Sequence, residues 1–141
     1  MNHKGPIVVI EDDWDDQEIL TTVFTDLNLD NKIVFFDDGF SALEYLGTTD
    51  EHPFLILCDI NMPKMNGFEL KRKIEEKELL RLKCIPYLFF TTSADPKNVS
   101  EAYSRSIQGY FKKPTSYTEL KQLIKYITDY WKVCHAPEIT A

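Results

Sequence analysis

The sequence predicts an α/β fold: a doubly wound, five-stranded parallel sheet in the order 2-1-3-4-5 with five helices on its two faces. Three observations lead there. Short apolar runs alternate with helix-periodic segments five times along the chain. The runs are apolar at consecutive positions rather than at every second one, as in parallel strands covered on both faces. The side chains able to do chemistry stand just past the C-terminal ends of those runs, where open α/β sheets hold their ligands.

Each element has its own signature. Ile7-Val8-Val9-Ile10 is apolar throughout and β-branched, a short central strand. A helix over 14–29 follows, with Leu20, Val23, Phe24 and Leu27 recurring at three- and four-residue steps. Residues 32–36 form an outer strand, and Asp38-Gly39 opens a short helix bearing Ala42, Leu43 and Leu46, with Gly47 expected to close it. After a polar link, 54–58 is the middle strand of the sheet. The turn-rich stretch 61–67 leads into a helix carrying Phe68, Leu70 and Ile74. Pro86 precedes the strand Tyr87-Leu88-Phe89-Phe90. Asp95-Pro96 starts a helix over 96–106, because proline fits a first helical turn. Its apolar stripe of Val99, Ala102, Tyr103 and Ile107 is thin, which marks a lightly anchored element. Gly109-Tyr110-Phe111 is the last strand, and a helix over 117–131 repeats Tyr117, Leu120, Ile124, Ile127 and Trp131 on one side.

Length and charge narrow the function classes. A chain of 141 residues has room for one domain, expected over 6–131 with short tails at 1–5 and 132–141. A net charge of −7 argues against binding to nucleic-acid phosphates, which takes a basic face. Cys58, Cys84 and Cys134 have neither paired nor metal-ligand spacing, and His3, His52 and His135 are scattered, so a reducing compartment is expected and a zinc site is not. No apolar stretch reaches the roughly 20 residues of a membrane helix, and the N-terminus lacks a signal-peptide core. The expectation is a soluble, cytoplasmic protein without membrane contact.

Four strand ends carry the chemistry: Glu11-Asp12-Asp13 after the first strand, Asp59 after the third, Thr91 after the fourth and Lys113-Pro114 after the fifth. A sheet of order 2-1-3-4-5 places its switch point between the first and third strands, so the acids and Asp59 meet in one pocket. Such a pocket suits a divalent cation beside one reactive aspartate. Asp15, Asp16 and Glu18 read equally well as a solvated helix start, since acids there meet the positive end of the helix dipole. Trp14 fits either shielding of the pocket and docking of a partner or simple packing at the helix entry.

The four motifs in this order, with Asp-x-x-Met-Pro-x-Met-x-Gly beginning at Asp59, resemble the receiver domain of two-component response regulators, a CheY-like, flavodoxin-like fold. The resemblance spans nearly the whole chain. It implies that Asp59 is the phosphoacceptor, taking a phosphoryl group from a histidine of a sensor kinase or a histidine phosphotransfer protein. It further implies Mg²⁺, or Mn²⁺, bound by Asp12, Asp59 and the backbone carbonyl of Asn61, with Glu11 contributing through water and Asp13 lining the rim. Lys113 would face Asp59, with a Lys113–Pro114 bond that is usually cis in the family, and Lys112 would point to the opposite face of the strand. Thr91 would donate its hydroxyl to the phosphoryl group, Tyr110 would be the switch aromatic that turns inward with Thr91, and Asn61, Thr92 and Ser93 would set the phosphate's lifetime. A protein of this kind is no enzyme beyond its own phosphorylation and dephosphorylation. With no output module recognisable in the sequence, the signal is expected to pass by binding a separate target protein or by handing the phosphate onward.

Three other readings stay open on sequence grounds. A flavin or nucleotide carrier of this topology would cradle phosphate in a glycine-rich first loop, whereas here that loop is anionic. A metal-dependent phosphohydrolase would need a substrate cap and a second catalytic carboxylate near Asp59. A receiver-like module that never accepts phosphate would be expected to have lost some of the four motifs.

Overall fold

The computed structural model describes residues 1–137. Among them the chain forms β1 (Ile7–Ile10), α1 (Trp14–Leu27), β2 (Ile33–Phe36), α2 (Gly39–Thr48), β3 (Leu55–Cys58), α3 (Gly67–Glu76), α4 (Glu78–Leu82), β4 (Tyr87–Thr91), α5 (Pro96–Ser104), β5 (Gly109–Lys112) and α6 (Tyr117–Val133). All neighbouring strands pair in parallel, in the order β2-β1-β3-β4-β5.

Alternation along each strand splits the apolar side chains into two layers. Val8, Ile10, Ile56, Cys58, Tyr87 and Phe89 pack under Ala42 and Leu46 of α2, Leu70 and Ile74 of α3, and Ala102 of α5. Ile7, Val9, Leu55, Leu57, Leu88 and Phe90 pack against Leu20, Val23 and Phe24 of α1 and Leu120, Ile124 and Ile127 of α6. β1, β3 and β4 are buried along their full lengths, while β2 and β5, at the sheet edges, are only partly covered. This is the physical origin of the apolar runs at consecutive positions.

The expected sheet is present, and several boundaries differ. There are six helices among the described residues rather than five. Lys77 adopts an extended backbone, ends α3 and begins α4, and α4 buries only Leu80, too little periodicity for a sequence pattern. α1 stops at Leu27 because Asn28 turns left-handed with φ 52°, a conformation asparagine tolerates. Gly47 does not close α2: the helix runs on to Thr48, and the Thr49 amide bonds the Tyr45 carbonyl. Tyr117 is exposed and bonds Asp26 instead of joining the α6 stripe. No cis peptide bond occurs among the described residues, so Lys113–Pro114 is trans, the isomer that an X–Pro bond favours by default.

The first five residues are packed against the domain. Met1 is buried with its amine bonded to the Lys83 carbonyl, and the Asn31 side-chain amide donates to the carbonyls of His3 (2.9 Å) and Gly5 (2.7 Å). Of the C-terminal stretch read as a tail, 138–141 lie outside the described residues. No helix among the described residues is long and apolar enough to cross a membrane.

Candidate functional site

β1 and β3 are adjacent, with Ile10 opposite Cys58, so the residues following them emerge side by side. The Asp59 amide bonds the Ile10 carbonyl at 3.0 Å, and the Glu11 amide bonds the Phe36 carbonyl at 2.9 Å. These backbone bonds hold the two carboxylates at one sheet edge. One oxygen from each of Glu11, Asp12 and Asp59 lies within 4.8 Å of the others. Glu11 is buried, Asp59 is 9% exposed, and Asp12 faces solvent. Oxygen-only donors of this charge suit a hard divalent cation such as Mg²⁺ or Mn²⁺ and suit a soft metal poorly.

The loop after Asp59 is firmly built. Asn61 is exposed, and its amide approaches Asp59 Oδ1 at 3.4 Å. Met62 and Met65 point into the core, and Asn66 caps α3 in a reciprocal box with Glu69. Gly67 is needed for close approach: a Cβ there would lie 2.6 Å from Phe89 Cε1 and 2.7 Å from the Asp59 carbonyl oxygen.

Lys113 enters from β5, its amide bonded to the Thr91 carbonyl at 2.7 Å. Its ammonium meets three carboxylates: Glu11, Asp16 at 2.9 Å and Asp59 at 3.3 Å. Burial disfavours the charge, yet the bonds from Glu11 and then Asp16 outweigh it and hold the ammonium above its ordinary range. Burial pushes the Glu11 carboxyl up to about 7, against the opposing pull of Lys113. Lys112 is exposed on the other side of the strand end.

The fourth strand end differs. Thr91 is 1% exposed, and its Oγ1 has no hydrogen-bond partner among the described residues. A buried, unmatched hydroxyl is uncommon. Thr92 is exposed and Ser93 half-buried. The Tyr110 hydroxyl donates to the Ser93 carbonyl at 2.6 Å, and its ring meets Phe89 edge-on at 6.1 Å. Burial, then the nearby charge of Asp95, raises the Tyr110 phenol above its ordinary pKa.

Three residues near the site have roles the sequence did not disclose. Asp13 does not line the rim: its side chain caps α1, accepting from the amides of Asp15 (2.9 Å) and Asp16 (3.3 Å). Asp16, read as equally suited to a solvated helix start, reaches Lys113. Gln17 spans the Glu11 carbonyl (2.6 Å) and Asp37 (2.7 Å), tying α1 to two strand ends. The usable signal for Asp16 is its place in the first helical turn, where side chains lean back toward the N-terminus and hence toward the sheet edge. Trp14 is 75% exposed, so it does not pack at the helix entry.

Comparison with known proteins gives a consistent picture. The family model described as the response regulator receiver domain matches residues 7–125. The chain is 32% identical over 129 residues to a probable methanogenesis regulatory protein, FilR2, of Methanothrix harundinacea, covering 89% of this chain and 82% of that one. It is 28% identical to the response regulator Rcp1 of Synechocystis, covering 92% and 90%. Among solved structures, the phosphorylated cyanobacterial phytochrome response regulator RcpA superposes with a TM-score of 0.83 at 26% identity, over 97% of this chain and 100% of that one. The Mn²⁺-bound form of Rcp1 superposes with a TM-score of 0.79 at 25% identity, over 96% and 99%.

Proposed function

The chain belongs to the response regulator receiver domain family, and from that premise we propose that it accepts a phosphoryl group on Asp59 from a phosphohistidine of a sensor kinase or phosphotransfer protein. The observation that carries this reading is the meeting of Asp59 with two further acids on one side, the Lys113 ammonium on the other and an unpartnered buried hydroxyl at Thr91.

In the proposed reaction an Asp59 carboxylate oxygen forms a bond to phosphorus as the phosphorus–nitrogen bond of the donor breaks. The bonding pair returns to the imidazole nitrogen, and an acyl phosphate remains. Phosphoryl transfer needs little covalent help, so the site's task is to position the group and balance its charge. Glu11, Asp12 and Asp59, with the Asn61 carbonyl, would hold Mg²⁺ or Mn²⁺, which when bound neutralises phosphoryl oxygens. Support for that assignment comes from the three clustered carboxylates and from the Mn²⁺-bound state of Rcp1. Lys113 pairs with a phosphoryl oxygen, and Thr91 gains through its hydroxyl the partner it lacks. Asn61, Thr92 and Ser93, around the mouth of the site, set how readily water reaches the acyl phosphate.

Movement of Thr91 toward the phosphoryl group transmits the change through Ser93 to Tyr110, shifting the population of the α5–β5–α6 face that a target protein reads. The functional unit is the segment 6–131, acting in the cytoplasm without nucleic-acid or membrane contact and turning over no substrate but its own phosphate. Three free cysteines, an acidic charge and the absence of a membrane-length helix among the described residues support that setting.

Intact-mass measurement after incubation with Mg²⁺ and acetyl phosphate tests the central step. One added phosphate is expected in the wild type and none in Asp59→Asn. An unmodified wild type, under conditions that label a known receiver, would remove the phosphoacceptor assignment.

A further inference from the structure

Lys113 has one carboxylate more than the proposed phosphoacceptor chemistry uses. Glu11 and Asp59 belong to the cluster that suits a cation; Asp16, also bonded to the ammonium, does not belong to that cluster. Asp16 lies on the outer side of Lys113. Together they line a groove of about 250 Å³ with Ile19, Leu20, Phe90 and Pro114, which neither Glu11 nor Asp59 lines. Its position is fixed by its neighbours: Asp13 binds the Asp16 amide, and Gln17 ties the same helical turn to Glu11 and Asp37.

A divalent cation among Glu11, Asp12 and Asp59 would claim the same oxygens that Lys113 now holds and would repel its ammonium. With no other acceptor in reach, the ammonium would compete directly with the metal. We propose that Asp16 is a positioning residue, an outer docking point that takes up the Lys113 ammonium when a cation binds. The inference rests on the reading of Glu11, Asp12 and Asp59 as cation ligands and goes beyond it, since Asp16 touches neither the cation nor the phosphoryl group.

The test is a double-mutant cycle on Mg²⁺ affinity, read by calorimetry and free of any phosphorylation step. It uses wild type, Asp16→Asn, Lys113→Met and the double variant, each checked for an unchanged fold by circular dichroism and thermal melting. Asp16→Asn removes a negative charge, so some loss of affinity is expected in both backgrounds. If Asp16 receives the ammonium, the loss is about fivefold larger with Lys113 present than without it, in the range of coupling expected for groups in contact. Equal losses in the two backgrounds mean that Asp16 acts as a plain charge, and the proposal is overturned. So does an unchanged affinity in Asp16→Asn. A wild type that fails to bind Mg²⁺ is a different result: it removes the cation site itself.

Discussion

The loops after β3 and β4 both bring residues to the candidate site, but they are held in opposite ways. The β3–α3 loop buries Ile60, Met62 and Met65, is closed by the Asn66–Glu69 capping box, and seats Gly67 with no space for a side chain. The β4–α5 loop is exposed at Thr92, Ala94 and Asp95 and leads into a helix that buries only Ala102. Its ties are the Asp95 cap on the Lys97 amide and the strap from Tyr110 to the Ser93 carbonyl. The acceptor thus stands on a rigid mount and the response segment on a loose one. A receiver needs that division, because phosphorus must be positioned closely while the reporting face must change at small energetic cost.

Gly67→Ala strikes the rigid side and carries the largest expected effect. The added methyl meets Phe89 and the Asp59 carbonyl, so destabilisation of about 1–3 kcal/mol is expected from overpacking. A urea denaturation midpoint equal to wild type would show that this loop gives more readily than its packing implies. Thr91→Val acts at the root of the loose side. Removing a buried hydroxyl without a partner should stabilise the resting protein by about 1 kcal/mol, while phosphate acceptance slows. Destabilisation in the same urea assay would mean that the hydroxyl is already satisfied.

The acid side also has a pH response of its own. The Glu11 carboxyl is raised from its ordinary 4.5 to about 7 in the folded protein. Between these values the folded state holds more protons than the unfolded one, so stability falls as pH rises through the window. Without Mg²⁺, the melting temperature should be roughly 1–3 °C lower at pH 8 than at pH 6 from this group, and Glu11→Gln should remove that part of the difference. Identical pH profiles for the two proteins would contradict the shift. The smallest effect is expected for Tyr110→Phe. Loss of one half-exposed hydrogen bond should cost under about 1 kcal/mol, with faster amide exchange confined to 92–95. If exchange rises equally in 61–67, the two loops are not mechanically distinct.

Much of this was legible in the sequence because local pattern and position coincide. Full burial of β1, β3 and β4 leaves consecutive apolar residues, and the reactive side chains follow directly at the strand ends. The misreadings cluster where the pattern is short or the context remote. α4 has a single buried residue, Gly47 sits where a helix can simply continue, and Asp13 and Asp16 belong to one run of acids with the same composition and different tasks.

The order of apolar runs and the identity of the residues that follow them determined, unaided, the sheet and the group of strand-end side chains at its edge. Which carboxylates share the lysine was settled only in three dimensions. Lys113 is 97 residues from Asp16 and 54 from Asp59, so local pattern cannot rank those partners. The helix cap, the tilt of the first turn of α1 and the packing under β5 set those distances. The same holds for Thr91, whose hydroxyl is unpartnered because the packed strands around it offer nothing to bond, a property of the assembled edge and not of any segment.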